Sequence, residues 1–410
     1  MNIAMTADPA QIDLKNVNWA DWEEDPYPLY RALRDRSPVF HAPHHGVYGS
    51  YLITRYDDVA SILMDVERFS NIPLNLLDVD PGERISPLRM ADPPRHTWLR
   101  ATIMPLFTSR EMRNREPYLK ALATDLLDQC EAKGDVVEVS SQLAIPLPGR
   151  VTCDILGLPL EYHQKFINFT VERRELSSAQ QRKEAYGAKT FDDVREEMWA
   201  IVEPIATARR AKPEVDAISL MINAQAKVGK DQIPDKLIID MLLLLLTGGF
   251  HTTQHLVENF LSIMADRPDL WTQMREDRSL VAPAIEEMLR YDAPVQMLPR
   301  RARHDVEVAG TVIPANATLA MVYGAANRDE RAYPDPDSFR LDRKEPKRQL
   351  SFSGGIHTCP GAPVSRAEVL WLIQEMLNRY KTLERTGPSV RWPGAGFRGY
   401  QHVPLRFVRG

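Results

Sequence analysis

The chain has 410 residues, 44% of them hydrophobic and 26% charged, which are the proportions of ordinary globular proteins rather than of disordered or fibrous ones. A formal net charge of -5 excludes global steering toward nucleic acid, so any basic surface serving a partner must be local. Three cysteines, Cys130, Cys153 and Cys359, exclude a disulfide framework and suit a reducing compartment.

Residues 1–22 read as a polar, acidic tail without the basic stretch and apolar run of a secretory signal. The longest apolar run, residues 241–246, falls far short of the ~20 residues a membrane span needs. A soluble, cytoplasmic protein without a membrane anchor is expected. No repeat or low-complexity linker divides the sequence, so a single domain over residues 1–410 is the simplest expectation. Residues 49–55 and the short stretch before them read as strands; from Tyr56 a helix follows, with apolar spacing at Val59, Ile62 and Leu63. Helical periodicity dominates residues 111–278, with one stripe at Leu119, Leu122, Leu126 and Leu127 and another at Val257, Phe260, Leu261 and Met264. After Arg290 the texture changes: residues 306–308, 310–313 and 318–322 are short β-prone runs between turn residues. A last long helix spans about residues 363–380, and residues 403–408 end the chain as a strand. The expected class is mainly α with smaller β regions.

The stretch Phe352-Ser-Gly-Gly-Ile-His-Thr-Cys-Pro-Gly361 sets one cysteine in a glycine-rich loop that opens the last helix. Glycines at 354, 355 and 361 let the backbone turn tightly and approach a flat cofactor. A thiolate near a helix N-terminus is stabilised by the dipole and by free N–H groups, and the same hydrogen bonds tune a metal bound to the sulfur. An inert buried thiol is the competing reading of a single cysteine, and the spacing of the loop argues against it. Cys130 and Cys153 lie in apolar helical surroundings and are expected in the core.

This loop resembles the cysteine-ligand signature of the cytochrome P-450 superfamily: Phe352, Gly355, His357, Cys359 and Gly361 all match. The chain is similar to the soluble bacterial, camphor-hydroxylase-like members of class I. The resemblance implies a cytochrome P-450 fold with haem b between an oxygen-binding helix and the cysteine-ligand loop, and Cys359 as the thiolate ligand of the iron. It also implies a monooxygenase that inserts one atom of dioxygen into an organic substrate. Glu287 and Arg290, three apart and so on one helix face, match the family's acid-x-x-Arg pair that locks the core around the loop. Residues 333–339 resemble its meander, with Ser338 where an arginine is common and Arg340 or Arg343 as the compensating residue. His96 and Arg100, Arg300, and His357 fall at positions that hold the haem propionates, a task suited to the guanidinium fork.

The segment Thr247-Gly-Gly-Phe-His-Thr-Thr253 occupies the place of the oxygen-binding helix. Gly248 and Gly249 each cost a helix roughly 1 kcal/mol relative to alanine, and room for dioxygen over iron is the expected reason. Thr252 is expected to present its hydroxyl to the reacting oxygen. His251 stands where the family has Asp or Glu, and it reads two ways: as a proton donor toward Thr252, or as a histidine hydrogen-bonded to a neighbouring helix. His251, His255 and Glu258 also invite a zinc-hydrolase reading, but the acid that should follow the first histidine is Thr252. The same residues also admit a non-catalytic haem protein, or a haem enzyme that uses peroxide or performs oxidative coupling.

The resemblance implies pocket walls from residues 71–89, residues 166–176, the oxygen-binding helix, the strand after the acid-x-x-Arg helix and the C-terminal hairpin. Leu244, Gly248, Val295, Leu298 and Phe397 are the expected lining, which suits a small hydrophobic substrate such as a terpenoid or substituted aromatic, hydroxylated or oxidatively dealkylated. Arg173 and Arg174 are expected on a solvated face. By the same resemblance electrons come from a ferredoxin with its reductase, met by a local basic patch of Arg100, Arg110, Lys344, Lys347 and Arg348. Neither nucleic acid nor a membrane is expected as partner.

Overall fold

The structure, a computed structural model, describes residues 8–17, 22–42, 51–78, 87–170, 191–229, 233–344, 347–394 and 396–410. Helices come in the order α1 (Tyr27–Arg36), α2 (Tyr56–Met64), α3 (Arg95–Ile103), α4 (Ser109–Glu131), α5 (Pro146–Leu156), α6 (Leu160–Thr170), α7 (Phe191–Ala211) and α8 (Ala217–Val228). They continue with α9 (Asp235–Asp266), α10 (Pro268–Glu276), α11 (Val281–Tyr291), α12 (Tyr323–Ala326) and α13 (Ala362–Arg379). Strands are β1 (Val39–His41), β2 (Tyr51–Ile53), β3 (Phe69–Ser70), β4 (Val136–Glu138), β5 (Met297–Ala302), β6 (Val306–Val308), β7 (Thr311–Ile313) and β8 (Thr318–Val322), then β9 (Tyr380–Arg385), β10 (Val390–Arg391), β11 (Tyr400–His402) and β12 (Pro404–Arg409).

The main sheet has the order β1-β2-β8-β5-β3, and its strand alternation decides the layers. Leu52, Ala320 and Val322 face Leu29, Tyr30 and Leu33 of α1, while Ile53, Leu319 and Met321 face Tyr56, Val59 and Leu63 of α2. A second sheet, β4-β12-β9, brings the chain's last strand against the one that follows α13. Tyr380, expected at the end of the last helix, instead opens β9. The reason lies in its ring, which is buried against Phe407 at 5.0 Å between centroids. Strands β4 and β9 each pair with β12, distant in sequence, and so left no local signature.

The axis of the helical part is α9, 32 residues and about 48 Å long at 1.5 Å per residue. By length and composition it could cross a membrane, yet most of it is buried inside the protein. It packs against α5, α8, α11 and α13, which explains why apolar residues occupy nearly every face of it. The Thr253 hydroxyl donates to Ser365 Oγ at 3.0 Å and joins α9 to the first turn of α13. Those two helices therefore bracket the Cys359 loop and the Gly248 segment. Residues 49–50, part of the loop 71–89, residues 171–176, Arg173 and Arg174 lie outside the described residues.

Candidate active site

The loop before α13 is held by its own backbone. The Cys359 amide donates to the Phe352 carbonyl at 2.9 Å, and the Thr358 hydroxyl to the Gly355 carbonyl at 2.9 Å. Gly355 sits at φ +63°, where L side chains are disfavoured. Two of the glycines have a further reason, in the packing of the loop. A Cβ on Gly355 would run into the Leu63 carbonyl, and one on Gly354 would come within 3.3 Å of Leu63 Cβ. These residues let the loop seat on the end of α2. Only Gly361 faces the sulfur, its Cβ position 3.8 Å from Cys359 Sγ. Burial pushes the Cys359 thiol up, opposed by the Gly361 and Ala362 amides and by the charges of Arg100 and Arg366. Cys130 and Cys153, pushed up by burial to about 11 and about 12, are inert core thiols as expected. Behind the loop, Arg366 lies over the Phe352 ring at 4.5 Å and pairs with Glu286, Nη2 to Oε2 at 3.0 Å.

Beside the sulfur, cationic and imidazole groups crowd together. His96, buried on α3, packs against half-buried His357 with ring centroids 4.1 Å apart and planes tilted by 48°, and neither His96 ring nitrogen has a hydrogen-bond partner. Burial, then the charges of His96, Arg300, Arg100 and Arg89, push the His357 imidazole down to about 2. Burial likewise lowers His96, reinforced by Arg100. Arg300 donates to the Pro299 carbonyl at 2.8 Å and reaches Ser353 Oγ at 3.4 Å, a hydroxyl that also accepts from Tyr323 at 3.1 Å. The neighbouring acid, Asp92, is engaged by Ser70 Oγ at 2.6 Å, the Asn71 amide at 3.1 Å and Arg303 at 2.6 Å. A buried imidazole without an acceptor beside guanidinium groups is unfavourable unless an anion joins them. A cofactor with two carboxylates meets that requirement, so the residues fit haem and its propionates. Sequence reasoning missed Arg89, whose place in a loop gives no periodic signal.

On α9 the two glycines have different reasons. A Cβ on Gly249 would lie 2.9 Å from Thr152 Oγ1, so this glycine admits α5; on Gly248 a Cβ would meet nothing within 4 Å. Room beside the helix therefore belongs to Gly248 alone. Thr252 donates its hydroxyl to the Gly248 carbonyl at 2.7 Å. His251 turns instead toward α6, with Nε2 3.3 Å from the Thr170 carbonyl and Nδ1 3.3 Å from Gln254 Oε1. His255 is 2.9 Å from buried Glu258, and no group of three metal-ligating residues occurs among the described residues.

Glu287 and Arg290 form a buried bidentate pair, 2.8 Å at each contact. Arg290 also binds the carbonyls of Asn327, Pro336 and Ser338. Arg343, not Arg340, supplies the compensating guanidinium, and it reaches Glu287 Oε1 at 2.8 Å and the Pro334, Asp335 and Ser338 carbonyls. Leu244 is half-buried against the helical core, and Val295 and Leu298 are half-buried against the sheet cluster. A β-bridge joins Val295 to Phe397. Phe397 itself is 40% exposed and lines a small cavity of about 30 Å³ with Trp22, Tyr30, Met297 and Trp392.

Comparison with known proteins identifies the family. The sequence model of the cytochrome P-450 family matches residues 161–391. Cytochrome P-450 130 of Mycobacterium tuberculosis is 31% identical over 93% of this chain and 95% of its own length. The mycinamicin IV hydroxylase/epoxidase of Micromonospora griseorubida is 30% identical over 92% and 94%. Among solved structures, CYP109E1 of Bacillus megaterium in complex with testosterone superposes with a TM-score of 0.81 at 27% identity, over 93% of this chain and 97% of that one. A cytochrome P-450 from Chondromyces apiculatus gives 0.83 at 28%, over 98% and 99%. Matched in sequence and in fold, the chain belongs to the cytochrome P-450 family of haem-thiolate monooxygenases.

Proposed function

We propose that Cys359 is the axial thiolate and that His96, Arg100, Arg300 and His357 hold the propionates of haem b, with Phe352 and Gly361 shaping the proximal side. The observation that carries this reading is the contact between buried His96, which has no hydrogen-bond partner, and half-buried His357, set among arginine charges next to the one cysteine whose sulfur receives backbone amides. Bound through the thiolate, haem supplies activation of dioxygen and transfer of one oxygen atom to the substrate. The protein's part is to position, to exclude water and to hold protons. Gly361 borders the sulfur, and its amide with that of Ala362 offsets part of the burial penalty on the thiolate. Gly248 leaves space beside α9, and Thr252, one turn on, offers a hydroxyl that now rests on the Gly248 carbonyl. His251, adjacent in sequence, is the proposed proton source for Thr252. Replacing His96 by Leu should weaken haem retention during gel filtration, whereas unchanged retention would contradict the propionate assignment.

We place the substrate among Leu244, Gly248, Val295, Leu298 and Phe397, a mostly apolar set that favours a hydrophobic organic molecule over a charged one. A terpenoid or substituted aromatic is the proposed class, with hydroxylation or dealkylation as the reaction; the testosterone complex of a structural relative supports a rigid hydrophobic ligand. A screen for substrate-induced spin-state shifts tests it, and binding by polar acids alone would contradict it. Electrons are proposed to come from a ferredoxin with its reductase. Arg110, Lys344 and Arg348 are exposed, whereas Lys347 is paired with Asp57 at 2.5 Å and contributes less to such a patch. Charge reversal at Arg110 and Arg348 should slow reduction at low salt, and unchanged kinetics would remove the partner assignment.

A further inference from the structure

Both ring nitrogens of His251 face acceptors. Nε2 lies 3.3 Å from the Thr170 carbonyl oxygen, which has no proton to give. Nδ1 lies 3.3 Å from Gln254 Oε1, and Gln254 can in principle present either end of its amide. Its other neighbour decides which. Gln254 Nε2 donates to Glu258 Oε1 at 2.8 Å, while Glu258 Oε2 is 2.9 Å from His255 Nδ1 and accepts the Tyr400 amide at 2.9 Å. Reversing the amide would set oxygen against oxygen beside a buried carboxylate. The oxygen of Gln254 therefore points at His251.

A neutral imidazole carries one N–H and can satisfy one of these two acceptors; an imidazolium satisfies both. We infer that His251 is doubly protonated while it bridges α6 to α9, and that giving up its proton releases α6, so that the proton store beside Thr252 and the hold on α6 are coupled. The described groups that face it are few. From α6 comes the Thr170 carbonyl. From α9 come Gln254, with Glu258 behind it as the counter-charge, and His255, whose ring centroid is 6.4 Å away. Between the two contacts α6 is the one lost, because the neutral ring keeps its Nδ1–H on Gln254, three residues along the same helix. The inference rests on the proposed function only in giving the proton a destination; the bridge itself is made of protein groups.

Nitrogen spectra of isotope-labelled histidine in the ferrous carbonyl holoenzyme test the protonation state, with a His251→Asn variant identifying the signal. Both nitrogens should carry protons at about pH 7.5, where a histidine of ordinary pKa ~6.5 is mostly neutral; a singly protonated ring there would overturn the inference. Hydrogen exchange of residues 160–170, corrected for intrinsic rates, tests the coupling. Exchange should rise several-fold as pH increases through the His251 titration, and His251→Asn should hold it at the fast level at every pH. Gln254→Leu separates the bridge from a merely structural effect. Without that acceptor the neutral ring keeps its single N–H for Thr170, so α6 should stay protected at high pH. Exchange independent of pH in the parent protein, or fast at high pH in Gln254→Leu, would overturn the coupling. Both readouts concern protein atoms, so loss of the thiolate–CO absorption band would count against the family mechanism and not against the bridge.

Discussion

Arg343 Nε lies 2.8 Å from Glu287 Oε1, the same oxygen that Arg290 Nη2 reaches at 2.8 Å, so one buried carboxylate binds two guanidinium groups from segments far apart in sequence. The Arg343 and Glu287 side chains are 9% and 3% exposed, whereas the Arg340–Asp342 pair next door is 40% and 73% exposed. Removing one partner of a buried pair costs about 3 kcal/mol or more, while an exposed pair contributes about 0–1 kcal/mol. Urea unfolding should therefore show Arg343→Ala destabilised by about 3 kcal/mol and Arg340→Ala by less than about 1 kcal/mol. Equal effects would mean that the meander is not held through Glu287.

The two glycines of α9 should separate stability from activity. Gly249→Ala places a methyl 2.9 Å from Thr152 Oγ1 and must part α5 from α9, a strain of about 1–3 kcal/mol. Gly248→Ala meets open space and should gain up to about 1 kcal/mol of helix stability, while the added methyl intrudes on the oxygen and substrate side. Thermal melts and the ratio of product formed to reductant consumed check this. The expected pattern is a less stable Gly249→Ala and a stable but poorly coupled Gly248→Ala.

These glycines also mark how far the sequence could be read. The Cys359 loop was legible as a local motif, and the Glu287–Arg290 pair through its resemblance to the family's acid-x-x-Arg pair, because each is a short motif within one stretch of chain. What Gly354, Gly355 and Gly249 accommodate was hidden, since Leu63 and Thr152 come from other elements. Likewise the order Ser338, Arg340, Arg343 leaves open which arginine folds back, and only the chain's path brings Arg343 to Glu287. The strands β4 and β9 stayed illegible because their partner, β12, lies at the end of the chain. His251 is the clearest case. Its identity departs from the family's acid, but only packing against α6 shows that its ring turns toward Thr170.

Asp292 should dominate acid stability. Burial would raise its carboxyl, but Arg398, Arg391, the Tyr27 hydroxyl and Arg328 outweigh burial and hold it at about 2. Arg398 Nε is 2.6 Å away and the Tyr27 hydroxyl 2.7 Å. A carboxylate whose folded pKa lies below its unfolded value of ~3.9 contributes stability that is complete above that value and is lost as pH falls through the folded one, here about 2–3 kcal/mol. Asp292→Asn should lose at least this much at neutral pH, because it leaves buried arginines uncompensated, and its stability should fall less steeply with acid. A parallel acid profile in parent and variant would contradict the assignment.

Glu368 has the opposite sign. It is buried on α13, its Oε2 has no hydrogen-bond partner, and burial alone pushes its carboxyl well above the ordinary range. A raised folded pKa means the folded state must keep a proton that the unfolded chain releases, so stability is lost as pH rises above the unfolded value of ~4.3. Glu368→Gln should remove this penalty, with a gain in melting temperature that grows between about pH 5 and pH 8. A gain that is flat with pH would show that Glu368 is not held neutral.

The most direct test of the central claim is the absorption spectrum of the reduced, CO-bound protein in a cysteine series. If Cys359 is the thiolate ligand, Cys130→Ala and Cys153→Ala keep the long-wavelength Soret band of a thiolate-bound CO haem, and Cys359→Ser loses it while the chain remains folded. Survival of that band in Cys359→Ser, or its loss in either of the other two variants with the fold intact, would contradict the assignment.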